Sequence, residues 1–186
     1  MLFRSPLPPH VVDDLAPLVA LWAPLDAEIT TADARLRLLA KDHPVVTRLR
    51  SMPGIGPVTA IAFVASLDDV TRFHSAHQVQ AYLGLVPSEY SSGDHRLHGR
   101  ITKRGDARMR WLLVETAWRI LRSPNAELAG LKAWALQIAQ RRGKRIAVVA
   151  LARRVAGILY AMWRDEVAYD AHRIRPRPTV APPRAA

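Results

Sequence analysis

The residues best suited to chemistry lie between Ser91 and Arg110. Ser91-Ser92-Gly93 offers two hydroxyls beside a glycine, and Arg96, Arg100, Lys103 and Arg104 follow closely. A serine hydroxyl is a weak nucleophile until a base or a metal activates it. The charge that develops on a phosphoryl group under attack needs cations nearby, and arginines can clamp its oxygens. The segment therefore suits attack on a phosphodiester. By residue type alone an ordinary polar turn is the better fit. Glu89, Asp94 and His95 are all close enough in sequence to serve as a general base, and nothing in the sequence chooses between them.

A second stretch suits phosphate binding without chemistry. Met52-Pro53-Gly54-Ile55-Gly56-Pro57-Val58-Thr59-Ala60 sits between hydrophobic segments and resembles a helix-hairpin-helix motif. Gly54 and Gly56 permit a turn that a β-carbon would block, and Ile55 can plug the space between the two helices. Pro57 suits the first position of a helix, where its missing N–H was unpaired in any case. The turn amides and the positive end of the second helix can then receive a backbone phosphate, without reading base sequence. A plain interhelical turn is the alternative.

Histidines and acids give weaker signals. His74 and His77, and His95 and His98, are spaced three apart, but no thiolate or carboxylate cluster accompanies either pair, so solvent or phosphate contacts are expected rather than a metal. Asp68 and Asp69 are expected to end one helix or cap the next element. No metal ligands are assigned.

The elements that must position these groups are read as all-α. Leu15, Trp22, Ile29 and Leu36 form one row of a heptad pattern, and Leu18, Leu25, Ala32 and Leu39 a second. The pattern predicts a coiled-coil-like arm over residues 1–42, or a plain amphipathic helix packed on its own domain. Pro17 and Pro24 oppose a continuous helix, so its uninterrupted part is expected from near Pro24. Helix, turn and helix follow over Pro44 to Asp69, and a short helix over Ser75 to Leu83 with Ser75 and Gln78 as a capping box. Gly84 to Thr102 lacks periodicity and reads as a long functional loop. A helix from about Asp106 to Leu121 comes next. A further helix, with Ser123 as cap and Pro124 at its first position, ends at Gly143. The last, from Lys144 to about Tyr169, is expected to bury Ile146, Val149, Ala156, Leu159 and Trp163. The predicted organisation is an arm (1–42), a helical domain (43–170) and a disordered Pro-rich tail (171–186).

Composition narrows the partner. The formal net charge is +11, and from Arg96 to Arg154 fifteen basic residues face three acids. Such a surface suits a polyanion, nucleic acid above all. Cysteine is absent, so disulfides and thiolate zinc sites are excluded. No membrane span or signal peptide is expected, which fits a cytoplasmic protein.

The motifs also occur in a telling order: the Pro53–Gly56 turn, Ala81-Tyr82-Leu83-Gly84-Leu85-Val86-Pro87, Ser91-Ser92-Gly93, Gly99-Arg100-Ile101-Thr102-Lys103-Arg104-Gly105, then Arg108 and Arg110. Over about residues 45–125 this is similar to the C-terminal transposase domain of the insertion-sequence family numbered one hundred and ten, the bridge-RNA-guided recombinases. The resemblance implies that Ser92, the serine before the glycine, is the nucleophile of a phosphoserine intermediate in strand exchange. It also implies that Gly54, Ile55, Gly56, Arg96, Arg100, Lys103, Arg104, Arg108 and Arg110 handle double-stranded DNA. A homo-oligomer built through the arm and a structured guide RNA are further implied partners. Family members carry an N-terminal nuclease-like domain with four metal-binding acids. Its absence from these residues implies that Mg2+ belongs there and that no cofactor is held here. A truncated element, an internal start and a separately encoded partner each fit that expectation. The alternative function is a non-catalytic DNA- or RNA-binding module or transposase remnant, or a packaging protein whose basic helices do all the binding.

Overall fold

The structure is a computed structural model that describes residues 8–92 and 95–173, with the backbone alone for 89–92, 95–98 and 173. The chain divides into two units, residues 1–39 and 40–186. Seven α-helices and one two-stranded sheet occur among the described residues. The all-α reading therefore holds, with a small β-hairpin added.

The first unit is formed by α1, Pro9–Asp42, which continues into the second. The helix runs unbroken through Pro17 and Pro24, where the sequence suggested a kink or a separate segment. Each proline deprives a carbonyl one turn earlier of its amide partner. Both prolines and the residues around them are exposed, so water can satisfy those carbonyls. The heptad residues Leu15, Leu18, Leu25, Ile29 and Leu39 are exposed, Trp22 by 75%.

The second unit is arranged around α7, Lys144–Arg164, which packs against α4 (Ala76–Tyr82), α5 (Ala107–Arg122) and α6 (Ala129–Arg142). Val148, Leu151, Val155, Leu159 and Met162 form its buried row. Of the residues expected there, Ala156 and Leu159 are buried and Val149 and Trp163 half-buried, whereas Ile146 is exposed. Small and apolar residues surround most of this helix, so its pattern does not fix a single buried face. Among the described residues α7 alone is long and apolar enough to cross a membrane by length and composition, and its buried row lies in the protein core. Tyr160 donates a buried hydrogen bond to the Phe73 carbonyl (2.6 Å), and the Arg153 guanidinium donates to Gln80 (2.7 Å). These contacts set α4 antiparallel to α7.

α7 ends earlier than predicted, at Arg164, and the chain turns back with Glu166 at φ 53°. The Tyr169 amide then donates to Ser51 Oγ (2.8 Å), and Glu166 pairs with Arg48 (3.6 Å). Burial pushes the Tyr169 hydroxyl above its ordinary pKa and the Arg154 guanidinium below its own. Arg154 lies over the Trp134 ring at 4.5 Å.

Several caps follow the sequence. Ser75 accepts from the Gln78 amide (3.3 Å), while the Gln78 side chain reaches back to the His74 amide (2.7 Å). Asp68 caps the end of α3 (Pro57–Leu67) and Asp69 caps the following 3-10 turn, so the acid pair fills both expected roles. The start of α6 differs: Ser123 closes α5, Asn125 caps a 3-10 turn (Ala126–Leu128), and the helix begins at Ala129. Pro124 therefore precedes the turn rather than opening a helix. The tail expected to be disordered lies outside the described residues from 174 onward.

Candidate nucleic-acid interface

The long loop predicted between Gly84 and Thr102 is an antiparallel hairpin, β1 (Pro87–Ser92) and β2 (His95–Ile101). Its base is built by the two motifs that flank it. Gly84 has φ 67°, and a β-carbon there would strike the backbone of Arg104. Gly105 has φ 89°, and a β-carbon there would strike the Tyr82 carbonyl. The two backbones thus approach too closely for any residue with a side chain. Lys103 donates its amide to Gly84 O (3.1 Å) and Thr102 to Val86 O (2.9 Å), which continues the pairing below the strands. Lys103 itself holds a left-handed φ of 55°.

The register pairs Pro87 with Ile101, then Glu89 with His98, Tyr90 with Leu97, Ser91 with Arg96 and Ser92 with His95. Ser88 therefore opposes both Gly99 and Arg100 in a bulge. Ser88 Oγ donates to the Arg100 carbonyl (3.0 Å), and only a glycine at 99 leaves room for that hydroxyl. Ser92 and His95 are the last pair before residues 93–94. Of the three acid–base candidates, His95 is the one the register sets opposite Ser92. Glu89 pairs at His98, and Asp94 lies outside the described residues.

The predicted cations divide by task. Arg100, Lys103, Arg104 and Arg108 are exposed around the hairpin base, and Arg96 pairs with Ser91 in β2. Arg110 is committed within the fold: its Nη1 donates to the carbonyls of Leu83, Arg104 and Gly105, each at 3.2 Å. It locks the glycine contact from the side of α5. Asp106 caps α5 by accepting from the Arg108 and Met109 amides (2.8 and 3.0 Å), and it accepts from Ser66 Oγ at the end of α3 (2.6 Å). The Ser66 hydroxyl, followed by the Met109 amide, holds the Asp106 carboxyl below its usual pKa.

The predicted turn lies between α2 (Pro44–Leu49) and α3. Ile55 is buried in the core together with Met52 and Ala60. Gly54 takes φ 90° and needs to be glycine. Gly56 is extended, serves as N-cap of α3, and has no conformational need of its own. Pro57 occupies the first turn of α3. Arg119 of α5 reaches the Gly54 carbonyl (3.5 Å), and a β-carbon on Gly54 would lie 3.7 Å from Ile120.

α5 thus joins both parts, with the hairpin base at its first turn and the glycine turn at its last. Two features of the site escaped sequence reasoning. The reciprocal glycine contact could have been suspected from a glycine in each flanking motif. Trp111, 58% exposed between Arg108 and Arg119 on α5, carried no signal beyond its spacing from Trp118. His74 and His77 are exposed, and no group of acids and histidines suited to a metal ion occurs among the described residues.

Comparison with known proteins points to transposases. Residues 46–131, from α2 into the start of α6, match the family described as Transposase IS116/IS110/IS902. The chain is 33% identical over 165 residues to a probable family 20 transposase of Pseudomonas aeruginosa, covering 89% of this chain and 49% of that protein. It is 34% identical over 144 residues to the transposase for insertion sequence element IS1111A of Coxiella burnetii, covering 77% and 40%. A third relative, the transposase for insertion sequence element IS1328 of Yersinia enterocolitica, is 30% identical, with 84% and 47% covered. The chain spans about half the length of the curated relatives it matches. Residues 46–131 thus carry the match to the IS116/IS110/IS902 family of transposases, and the similarity to transposases extends over most of the chain.

Proposed function

We propose that this chain is the serine-bearing, DNA-handling part of its transposase, with Ser92 as the nucleophile of strand exchange. The observation that supports this most is the placing of Ser92 in the last pair of a hairpin whose base admits no side chain at Gly84 or Gly105. A nucleophile must be presented in one geometry, and that clamp supplies a fixed root for it. In the proposed step Ser92 Oγ bonds to phosphorus as one P–O ester bond breaks. The serine proton passes to a base, for which His95 is best placed, and the released sugar oxygen takes up a proton. Reversal with a different strand rejoins DNA and regenerates the serine. Arg96, Arg100, Lys103, Arg104 and Arg108 would bind phosphate oxygens, while Arg110 positions the hairpin root. Gly54, Ile55 and Gly56 would rest the glycine turn on a DNA backbone.

A metal-bearing nuclease-like domain outside these residues, on the same or another polypeptide, would complete the site. The exposed apolar rows of α1 would join copies of the chain, and a structured RNA would choose the target. The work would take place in the bacterial cytoplasm, on the nucleoid.

Exchange reconstituted with the nuclease-like domain tests the central claim. Ser92→Ala is expected to abolish exchange and the denaturant-stable protein–DNA adduct while leaving DNA affinity within about twofold. Ser91→Ala is expected to keep both. Exchange at full rate by Ser92→Ala would refute the nucleophile, and DNA binding without any adduct would favour a non-catalytic module.

A further inference from the structure

We infer that the exposed face of α5 is a binding strip for an unpaired nucleic-acid strand, with Trp111 as a platform on which one base stacks. Arg108, Trp111, Glu115, Arg119 and Arg122 recur at intervals of three and four, so they share one face of the helix. Arg108, Trp111, Arg119 and Arg122 are exposed, and Glu115 is half-buried. Of the tryptophans in the second unit, Trp118, Trp134 and Trp163 pack against the core, whereas Trp111 leaves 58% of its surface in solvent. An indole so exposed gives up hydrophobic stabilisation that a polar residue would not forgo.

Charge complementarity selects the occupant. Three arginines, Arg108, Arg119 and Arg122, face a single glutamate along this face. A second copy of the chain would bring an identical cationic row and be repelled. A nucleic-acid strand supplies what both residue types want, with phosphates for the guanidinium groups and a π-face for the indole. A fully paired duplex supplies only the phosphates, because its bases are already stacked on one another. The strip starts at the hairpin root and ends at the glycine turn, so a strand opened at one would be received along the way to the other. The inference rests on the nucleic-acid reading proposed above and adds to it a state of the strand and a residue that recognises that state.

The experiment measures anisotropy of a labelled 15-nucleotide DNA, the same sequence as RNA, and its DNA duplex, each titrated with the 186-residue chain. Trp111→Ala is expected to weaken binding to an unpaired probe roughly tenfold, as loss of one base–aromatic stack does. Duplex affinity should stay within about twofold and the salt slope should be unchanged, while Trp111→Phe keeps most of the unpaired affinity. Arg108→Gln with Arg119→Gln should instead weaken all probes and lower the salt slope. The DNA and RNA arms tell which strand supplies the base. An unchanged affinity of Trp111→Ala for both unpaired probes, or an equal loss on the duplex, overturns the stacking role alone. Failure of the unsubstituted chain to bind any probe overturns the nucleic-acid reading itself.

Discussion

Gly105 and Gly84 have little latitude, because each sits at positive φ against the backbone of the other's motif. Gly105→Ala is expected to destabilise the protein by about 3 kcal/mol or more, since a β-carbon must displace backbone rather than a flexible side chain. Denaturant unfolding would read the loss, and proteolysis within residues 87–101 should accelerate. Asp106 acts through a charge. Its pKa is lowered in the folded state, so its contribution is present above the unfolded carboxyl value, near 4, and fades as pH falls through the lower folded value. Asp106→Ala should lower stability at pH 7 by about 1 kcal/mol, the usual worth of an N-cap. The difference from the unsubstituted chain should shrink in unfolding curves taken at falling pH below about 4. Tyr160→Phe leaves the Phe73 carbonyl buried without its donor and is expected to cost about 1–2 kcal/mol. The Ser75 and Asp69 caps were legible because these side chains bond to amides two or three residues ahead. Arg110 was not: its partners belong to Leu83 and to the Arg104–Gly105 turn, and only the fold brings them within reach.

Elements were legible in proportion to how strongly burial patterns them. α2, α3, α5 and the end of α6 at Gly143 follow apolar spacing and turn residues that the sequence displays. The hairpin did not show itself because Ser88, Glu89, Ser91, His95 and Arg96 contain no apolar alternation. Its anchors are glycine contacts and a bulge, which leave no periodic trace. Deleting Ser88 to Gly99 separates two roles: under the proposed function exchange is lost, whereas a protein bound only by its basic helices would keep its affinity. In α1, replacing Trp22 and Ile29 with glutamate should leave the thermal midpoint of the second unit unchanged, because these side chains are exposed. If the arm joins copies of the chain, the same change should reduce its mass in light scattering.

For the molecule as a whole, charge is the property that composition states most directly, and the fold leaves much of it outside. Arg141, Arg142, Lys144 and Arg145 are exposed where α6 meets α7, in addition to the cations around the hairpin. Affinity for duplex DNA should therefore fall steeply with salt, by about 0.9 in logarithmic slope for each phosphate engaged. Replacing those four residues with glutamine should flatten the slope in proportion to the contacts they make.

α5 also acts as a ruler. Arg110 at one end holds the hairpin root and Ile120 at the other lies beside Gly54, ten residues on. At 1.5 Å per residue that is about 15 Å, the rise of roughly four base pairs of duplex. If hairpin and turn hold the same DNA, helix length dictates how far from its anchored phosphate the strand is opened. Lengthening α5 by one turn would then move the point of strand opening along the DNA by a step or two without altering any residue that touches it.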